Sequence, residues 1–179
     1  MLSSKMRRSS NKNIKPIHNS VILIIVLFAF FVRTYPFTPV SLWLDETIEY
    51  HVANRPIREV VQADRDLTHD PPLFSLLLGL WMKVGKTDVY LKMLSVFFSV
   101  LATAIIFTLG RYSANIWAGY LAAFITAVAP RSVYYGQEVN QYALVLLFAT
   151  LCPFLLERYF SVLSLIFLDV KCHILWCQL

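Results

Sequence analysis

Not one acidic residue precedes Asp45, although Lys5, Arg7, Arg8, Lys12 and Lys15 all lie before the first apolar run. Charge is scarce throughout: 15% of the 179 residues are charged, whereas 58% are apolar. Soluble domains carry about a quarter charged residues, so an ordinary soluble domain is excluded and the composition is that of a membrane protein. The net charge of +5 gathers near the N-terminus. It therefore reads as a topology signal and not as a nucleic-acid surface. Cysteine is scarce too. Cys152, Cys172 and Cys177 lie in the C-terminal stretch, in apolar surroundings and without metal-ligand spacing. An odd count of that kind argues against a disulfide framework. Finally, Val21–Val32 runs into Arg33-Thr34-Tyr35-Pro36 with no small-residue cleavage site. This favours a retained signal anchor over a cleaved signal peptide.

What is present is a series of apolar segments. Residues 1–20 form a polar, basic tail, expected to be frayed and cytoplasmic. Val21–Val32, with Arg33 snorkelling to an interface marked by Tyr35 and Phe37, makes a first membrane helix of about 20 residues. Residues 36–88 form an outer loop. In it, Ile48, Val52, Ile57, Val60 and Val61 recur at roughly helical spacing, as short amphipathic helices on the outer membrane surface would. The apolar core of Pro71–Val84 is too short to span and reads as a re-entrant or interfacial helix, opened by Pro71-Pro72. Val89–Leu109 is then the second span, Asn115–Pro130 the third, and Gln141 to about Leu155 the fourth. This order leaves Arg111 and Arg158 in the cytoplasm. It also sets Asp45, His69, Asp70, Arg131, Glu138 and Tyr142 on one face. The predicted fold class is all-α, a multi-pass membrane protein with about four to five transmembrane helices.

The chain is organised around Ser41-Leu42-Trp43-Leu44-Asp45-Glu46. Two adjacent carboxylates at a membrane boundary form a functional-site candidate, because charge is costly there. The structural alternative is that Asp45 caps a helix and Glu46 occupies its first turn, where negative charge suits the helix dipole. His69-Asp70 before the two prolines is a second candidate, with a turn and N-cap as its alternative. Glu138, an acid between two spans, calls for a partner. Tyr134, Tyr135 and Tyr142 also read as an interfacial aromatic belt, and Trp43 and Trp81 as interfacial anchors.

Taken in order, these motifs form a pattern. Leu42-Trp43-Leu44-Asp45-Glu46 is followed by His69-Asp70-Pro71-Pro72-Leu73-Phe74, Trp81, Gly85 and Leu91-Lys92-Met93-Leu94-Ser95. Pro130 and Tyr134-Tyr135-Gly136-Gln137-Glu138-Val139-Asn140-Gln141-Tyr142-Ala143-Leu144 close the series. From about Val21 to Arg158 this resembles the N-terminal part of integral-membrane glycosyltransferases of the C-type fold. The branch is that of the dolichyl-phosphate-mannose–protein mannosyltransferases and the lipid A aminoarabinose transferase. The resemblance implies a polyprenyl-phosphate sugar donor, transfer on the extracytoplasmic face and a lipid, glycan or protein acceptor. It implies Asp45 as the catalytic carboxylate, with Glu46, His69 and Asp70 beside it. Lys92, Arg131, Gln137, Glu138 and Tyr142 fall where substrate would be held. Two positions depart from the family: Lys92 and Asn140 stand where arginine is usual, which leaves Arg131 to compensate at the donor phosphate. Asp45, His69 and Asp70 could offer oxygen and nitrogen ligands to a divalent metal, but not at a recognised spacing.

The segment 159–179 breaks the pattern. Asp169, Lys171 and His173 interrupt its apolar run, and it is expected to be an aberrant or truncated end and a poor fifth span. The reading that results is a membrane glycosyltransferase, or its N-terminal portion, in the cell (plasma or inner) membrane with the N-terminus cytoplasmic. The 179-residue chain on its own is expected to be inactive. The alternative from another class is a non-catalytic multi-pass protein, either a decayed fragment or a transporter- or scaffold-like subunit. A transporter would set its ionisable groups near the bilayer midplane, whereas here they lie in a loop.

Overall fold

The computed structural model describes residues 2–35, 42–68 and 70–176, with side chains for 18–35, 42–67, 70–161 and 163. Every regular element among them is helical. Helix α1 (Leu2–Thr34) is followed by α2 (Leu44–Ala53), α3 (Ile57–Ala63) and a π-helical turn (Asp64–Thr68). Then come α4 (Leu73–Trp81), α5 (Asp88–Ser113), α6 (Ile116–Val128), α7 (Pro130–Tyr135) and α8 (Tyr142–Trp176). The all-α expectation therefore holds.

Helices α5 and α8 are long and apolar enough to cross a membrane. The apolar part of α1, His18–Thr34, and α6 are shorter. The 13 residues of α6 extend about 20 Å, short of a hydrocarbon core of about 30 Å. The expected third span is thus real as a helix but abbreviated. Asn115 opens it by accepting the Ala118 N–H at 3.0 Å, and Pro130 closes it by starting α7. The basic tail is helical from Leu2 and continuous with the apolar run, not frayed. At the other end, α8 runs past Arg158 to Trp176, so 159–176 extends the fourth helix and begins no fifth one.

Helix α5 is the hub: α1, α6 and α8 all pack against it. The approach of α6 is close because Gly119 faces α5. A Cβ there would lie 2.7 Å from the Phe107 carbonyl oxygen. Small residues let membrane helices touch backbone to backbone, which replaces the hydrophobic driving force that lipid does not supply. Leu91, Leu94 and Ala102 of α5 join Leu144 and Leu147 of α8 in the main core, together with Val139 from the connection between α7 and α8. The outward faces of α1 and α8 carry exposed Leu23, Ile24, Leu27, Val145, Leu155 and Leu156, as lipid-facing surfaces do.

The segment between α1 and α5 folds as a small helical cap. Helix α4 spans nine residues, about 14 Å, and is too short to cross, as its composition indicates. It packs against α2 and α3. Val52 and Val60 are buried in this cap with Ile48 against them, while Ile57 and Val61, expected on the same face, are exposed. Helix α2 ends at Ala53 and α3 begins anew after Pro56, so a single helical spacing does not carry across the break. Trp81 stacks on Tyr90 at 4.8 Å and donates its indole N–H to the Tyr90 carbonyl at 2.9 Å.

Candidate active site

The two adjacent acids have opposite fates. Helix α2 begins at Leu44 with Trp43 before it, so neither Asp45 nor Glu46 is the cap residue. Glu46 instead reaches back from the first turn and accepts the Trp43 N–H at 3.0 Å, satisfying one of the amides that a helix start leaves open. Its other oxygen accepts the Val139 N–H at 2.9 Å. Lys92 Nζ of α5 lies 3.7 Å away. Glu46 is 2% exposed; it ties together α2, α5 and the connection after α7. Asp45, one residue earlier, is exposed and makes no hydrogen bond among the described residues. One acid is thus consumed by structure, and the other is left exposed.

Lys92, expected to contact donor phosphate, is paired with Glu46, its side chain 15% exposed. Glu138 is half-buried and has its partner in Tyr134. The hydrogen bond from the Tyr134 hydroxyl to Glu138, with the Glu138 charge, holds that phenol above its ordinary range. Gln137 donates to the Arg33 carbonyl at 3.1 Å, so it fixes the chain and does not reach outward. Asn140 accepts the Gln141 N–H at 2.6 Å and shapes the turn into α8.

Arg131 and Tyr142 line one cavity of about 410 Å³. The rings of Tyr135 and Tyr142 meet in a tilted arrangement, their centroids 4.6 Å apart, and Ile106, Ile125 and Leu146 form apolar walls. Its polar side chains, Ser99, Thr126, Arg131, Ser132, Tyr135 and Tyr142, adjoin those apolar residues. A second cavity of about 420 Å³ lies between α4 and α8, lined by Leu73, Phe74, Leu144 and Phe148 among others.

His69 lies outside the described residues. Asp70 lies near a third acid of α2, Glu49. Its charge acts on Glu49, which is 4% exposed. Ser75 bridges Glu49 and Asp64, its hydroxyl 3.1 Å from the first carboxylate and 2.8 Å from the second. Burial pushes the Glu49 carboxyl up to about 7; the Ser75 hydrogen bond opposes this, and the Asp64 and Asp70 charges add to it. The expected N-cap role of Asp70 is not seen, since Pro72 precedes α4 without a side-chain cap. Among the described residues no group of three or more His, Cys, Asp or Glu side chains is arranged to hold a metal ion.

Two functional candidates escape sequence reasoning. Glu49 stands three residues after Glu46, the spacing that places side chains on one helix face, and that spacing is the available clue. Arg33 has none. Expected to snorkel, it is 0% exposed. Its guanidinium donates to Ser99 Oγ at 2.8 Å, Ala29 O at 2.9 Å, Ala127 O at 3.2 Å, Thr126 O at 3.2 Å and Ser132 Oγ at 2.9 Å. All five N–H groups of the side chain are satisfied. Gly136 makes room for this knot: a Cβ there would lie 2.8 Å from Ser99 Oγ.

Comparison with curated proteins and with solved structures finds no match. A family profile does match, over residues 69–165, more than half of the chain. The matched stretch takes in α4 to α7 and the first part of α8, with Asp70, Lys92, Arg131, Gln137, Glu138 and Tyr142, and it starts downstream of Asp45 and Glu46. With its all-helical build and two membrane-length helices, the chain belongs to the dolichyl-phosphate-mannose-protein mannosyltransferase family.

Proposed function

We propose that this membrane glycosyltransferase moves a sugar from a polyprenyl-phosphate donor to an acceptor hydroxyl on the extracytoplasmic face, with Asp45 as the general base. The observation that carries the reading is the split between the two acids: Glu46 is buried with both oxygens engaged, whereas Asp45 is exposed and unpaired among the described residues. Asp45 takes the proton of the acceptor hydroxyl as its oxygen bonds to the anomeric carbon. The bond from that carbon to the phosphate oxygen breaks, and the lipid phosphate leaves with the electron pair. A phosphate needs charge stabilisation more than protonation. The cavity holding Arg131 and Tyr142 above apolar walls suits a group with an anionic head and an apolar chain. Arg131 can bind phosphate oxygens bidentately, and the nearby Lys92 is occupied by Glu46.

Replacing Asp45 by Asn at the native locus tests this. Membranes from such cells should transfer labelled mannose from dolichyl-phosphate mannose to endogenous acceptors about 10²–10⁴-fold more slowly, the usual contribution of a general base, with unchanged protein level. Retention of most of the transfer would move the base elsewhere.

A further inference from the structure

Arg33 is a buried cation with no carboxylate partner among the described residues. Its five hydrogen bonds go to three carbonyls and two hydroxyls; two of the carbonyls lie in the last turn of α6, which favours a cation, but no carboxylate among the described residues neutralises the charge. An unpaired charge in a low-dielectric interior is costly. Three of its partners, Ser99, Thr126 and Ser132, also line the cavity that contains Arg131 and Tyr142. The guanidinium therefore stands directly behind that cavity wall. Ser132 Oγ accepts from Arg33, and the Ser132 hydroxyl proton is committed to no acceptor among the described residues. A hydroxyl that accepts from a cation becomes a stronger donor on its other side, because bonds in such a chain polarise one another.

We propose that Arg33 is the counter-charge for a phosphate group held in this cavity, and that Ser132 delivers the hydrogen bond linking the two. The ligand class is a phosphate ester on an apolar chain, with Arg131 also in the cavity wall and Ile106, Ile125 and Leu146 for the chain. Arg33 is a positioning residue here: it acts through Ser132 and through the field it projects. The inference rests on the reading of this cavity as the donor site, and deepens it.

The test is equilibrium binding to the full chain, purified into phosphatidylcholine nanodiscs, with dolichyl phosphate, dolichol and inorganic phosphate as probes. The native chain should prefer dolichyl phosphate to dolichol, and Arg131→Gln should weaken that preference. Ser132→Ala should weaken dolichyl phosphate binding roughly tenfold, the worth of one hydrogen bond to a charged group, with dolichol binding unchanged. Ser132→Thr should restore it. A merely structural role for Ser132 would move both lipids alike. Arg33→Gln, read in the monodisperse folded fraction, should abolish the preference. If the native chain shows no preference for the phosphate, the donor-site reading fails and this inference with it. If the native chain prefers the phosphate but Ser132→Ala keeps that preference, this inference alone is overturned. Inorganic phosphate binding as tight as dolichyl phosphate would make this a free-anion site and overturn the lipid assignment.

Discussion

The Glu46 carboxylate accepts the backbone N–H of Val139, 93 positions away in the chain, at 2.9 Å. That single contact joins the cap helix that carries Asp45 to the connection that carries Glu138 and leads into α8 at Tyr142. It makes the position of the proposed base depend on the position of the proposed donor cavity.

Glu46→Ala should therefore destabilise the chain by about 2–4 kcal/mol, because it leaves two amides and the Lys92 ammonium without their acceptor in a buried place. Asp45→Asn should stay within about 0.5 kcal/mol of the native chain, as exposed substitutions do. Thermal unfolding in detergent, followed by circular dichroism, compares the two. Equal losses would contradict the division of labour between these neighbours.

The Lys92–Glu46 pair offers a second comparison. Lys92→Met with Glu46→Gln should cost less than the sum of the single changes, since Lys92→Met strands the buried Glu46 carboxylate and Glu46→Gln leaves the half-buried Lys92 ammonium unpaired. A double-mutant cycle on unfolding midpoints measures the coupling; additivity would mean that the 3.7 Å separation carries no interaction.

Stability should depend on pH through Glu49. Its folded carboxyl is raised from 4.5 to about 7 by burial, with the Asp64 and Asp70 charges adding to the rise. Between those values the folded state holds a proton that the unfolded state has released, so the Glu49 contribution to stability is fully present below pH 4.5 and is lost as pH rises through about 7. The full effect of such a shift is roughly 3 kcal/mol at most. Glu49→Gln should flatten this slope between those limits, read as the unfolding midpoint against pH. A slope unchanged in Glu49→Gln would assign it to another group.

Gly136→Ala should disturb the knot around Arg33. The new methyl would meet Ser99 Oγ at 2.8 Å and the Ser132 carbonyl at 3.0 Å, and overpacking of this kind costs about 1–3 kcal/mol. Dolichyl phosphate binding should weaken with it, because both serines line the cavity. A variant with native stability and native binding would show that the wall yields without consequence.

The orientation can be read by labelling single cysteines in a background lacking the native three. Cysteines in place of Asp66 and Tyr134, both exposed, should react with an impermeant reagent from the same, outer side. Ala114, between α5 and α6, should react from the other. Labelling of positions 66 and 134 from opposite sides would mean that α4 crosses the membrane.

Much of this was legible beforehand because it is local. Hydropathy runs and proline or asparagine breaks locate α4, α5, α6 and the start of α8 to within a few residues, since helix ends answer to adjacent residues. The Asp45-Glu46 pair stood out because charge beside a membrane segment is costly wherever the rest of the chain goes. The length of α1 and of α8 was not legible: low hydropathy at either end argues against a span, not against a helix.

The sequence by itself determined the helical class, the membrane composition, the short non-spanning α4 and the stretch on which the acids lie, all properties of neighbours a few residues apart. Only the tertiary structure decided which acid is free. Asp45 and Glu46 are indistinguishable by type and position, and they differ because Val139 and Lys92 meet one and not the other. Only it decided that Arg33 turns inward, because five acceptors from α1, α5, α6 and α7 converge there. Burial and pairing are set by residues brought together from distant parts of the chain, and no window of the sequence contains both partners.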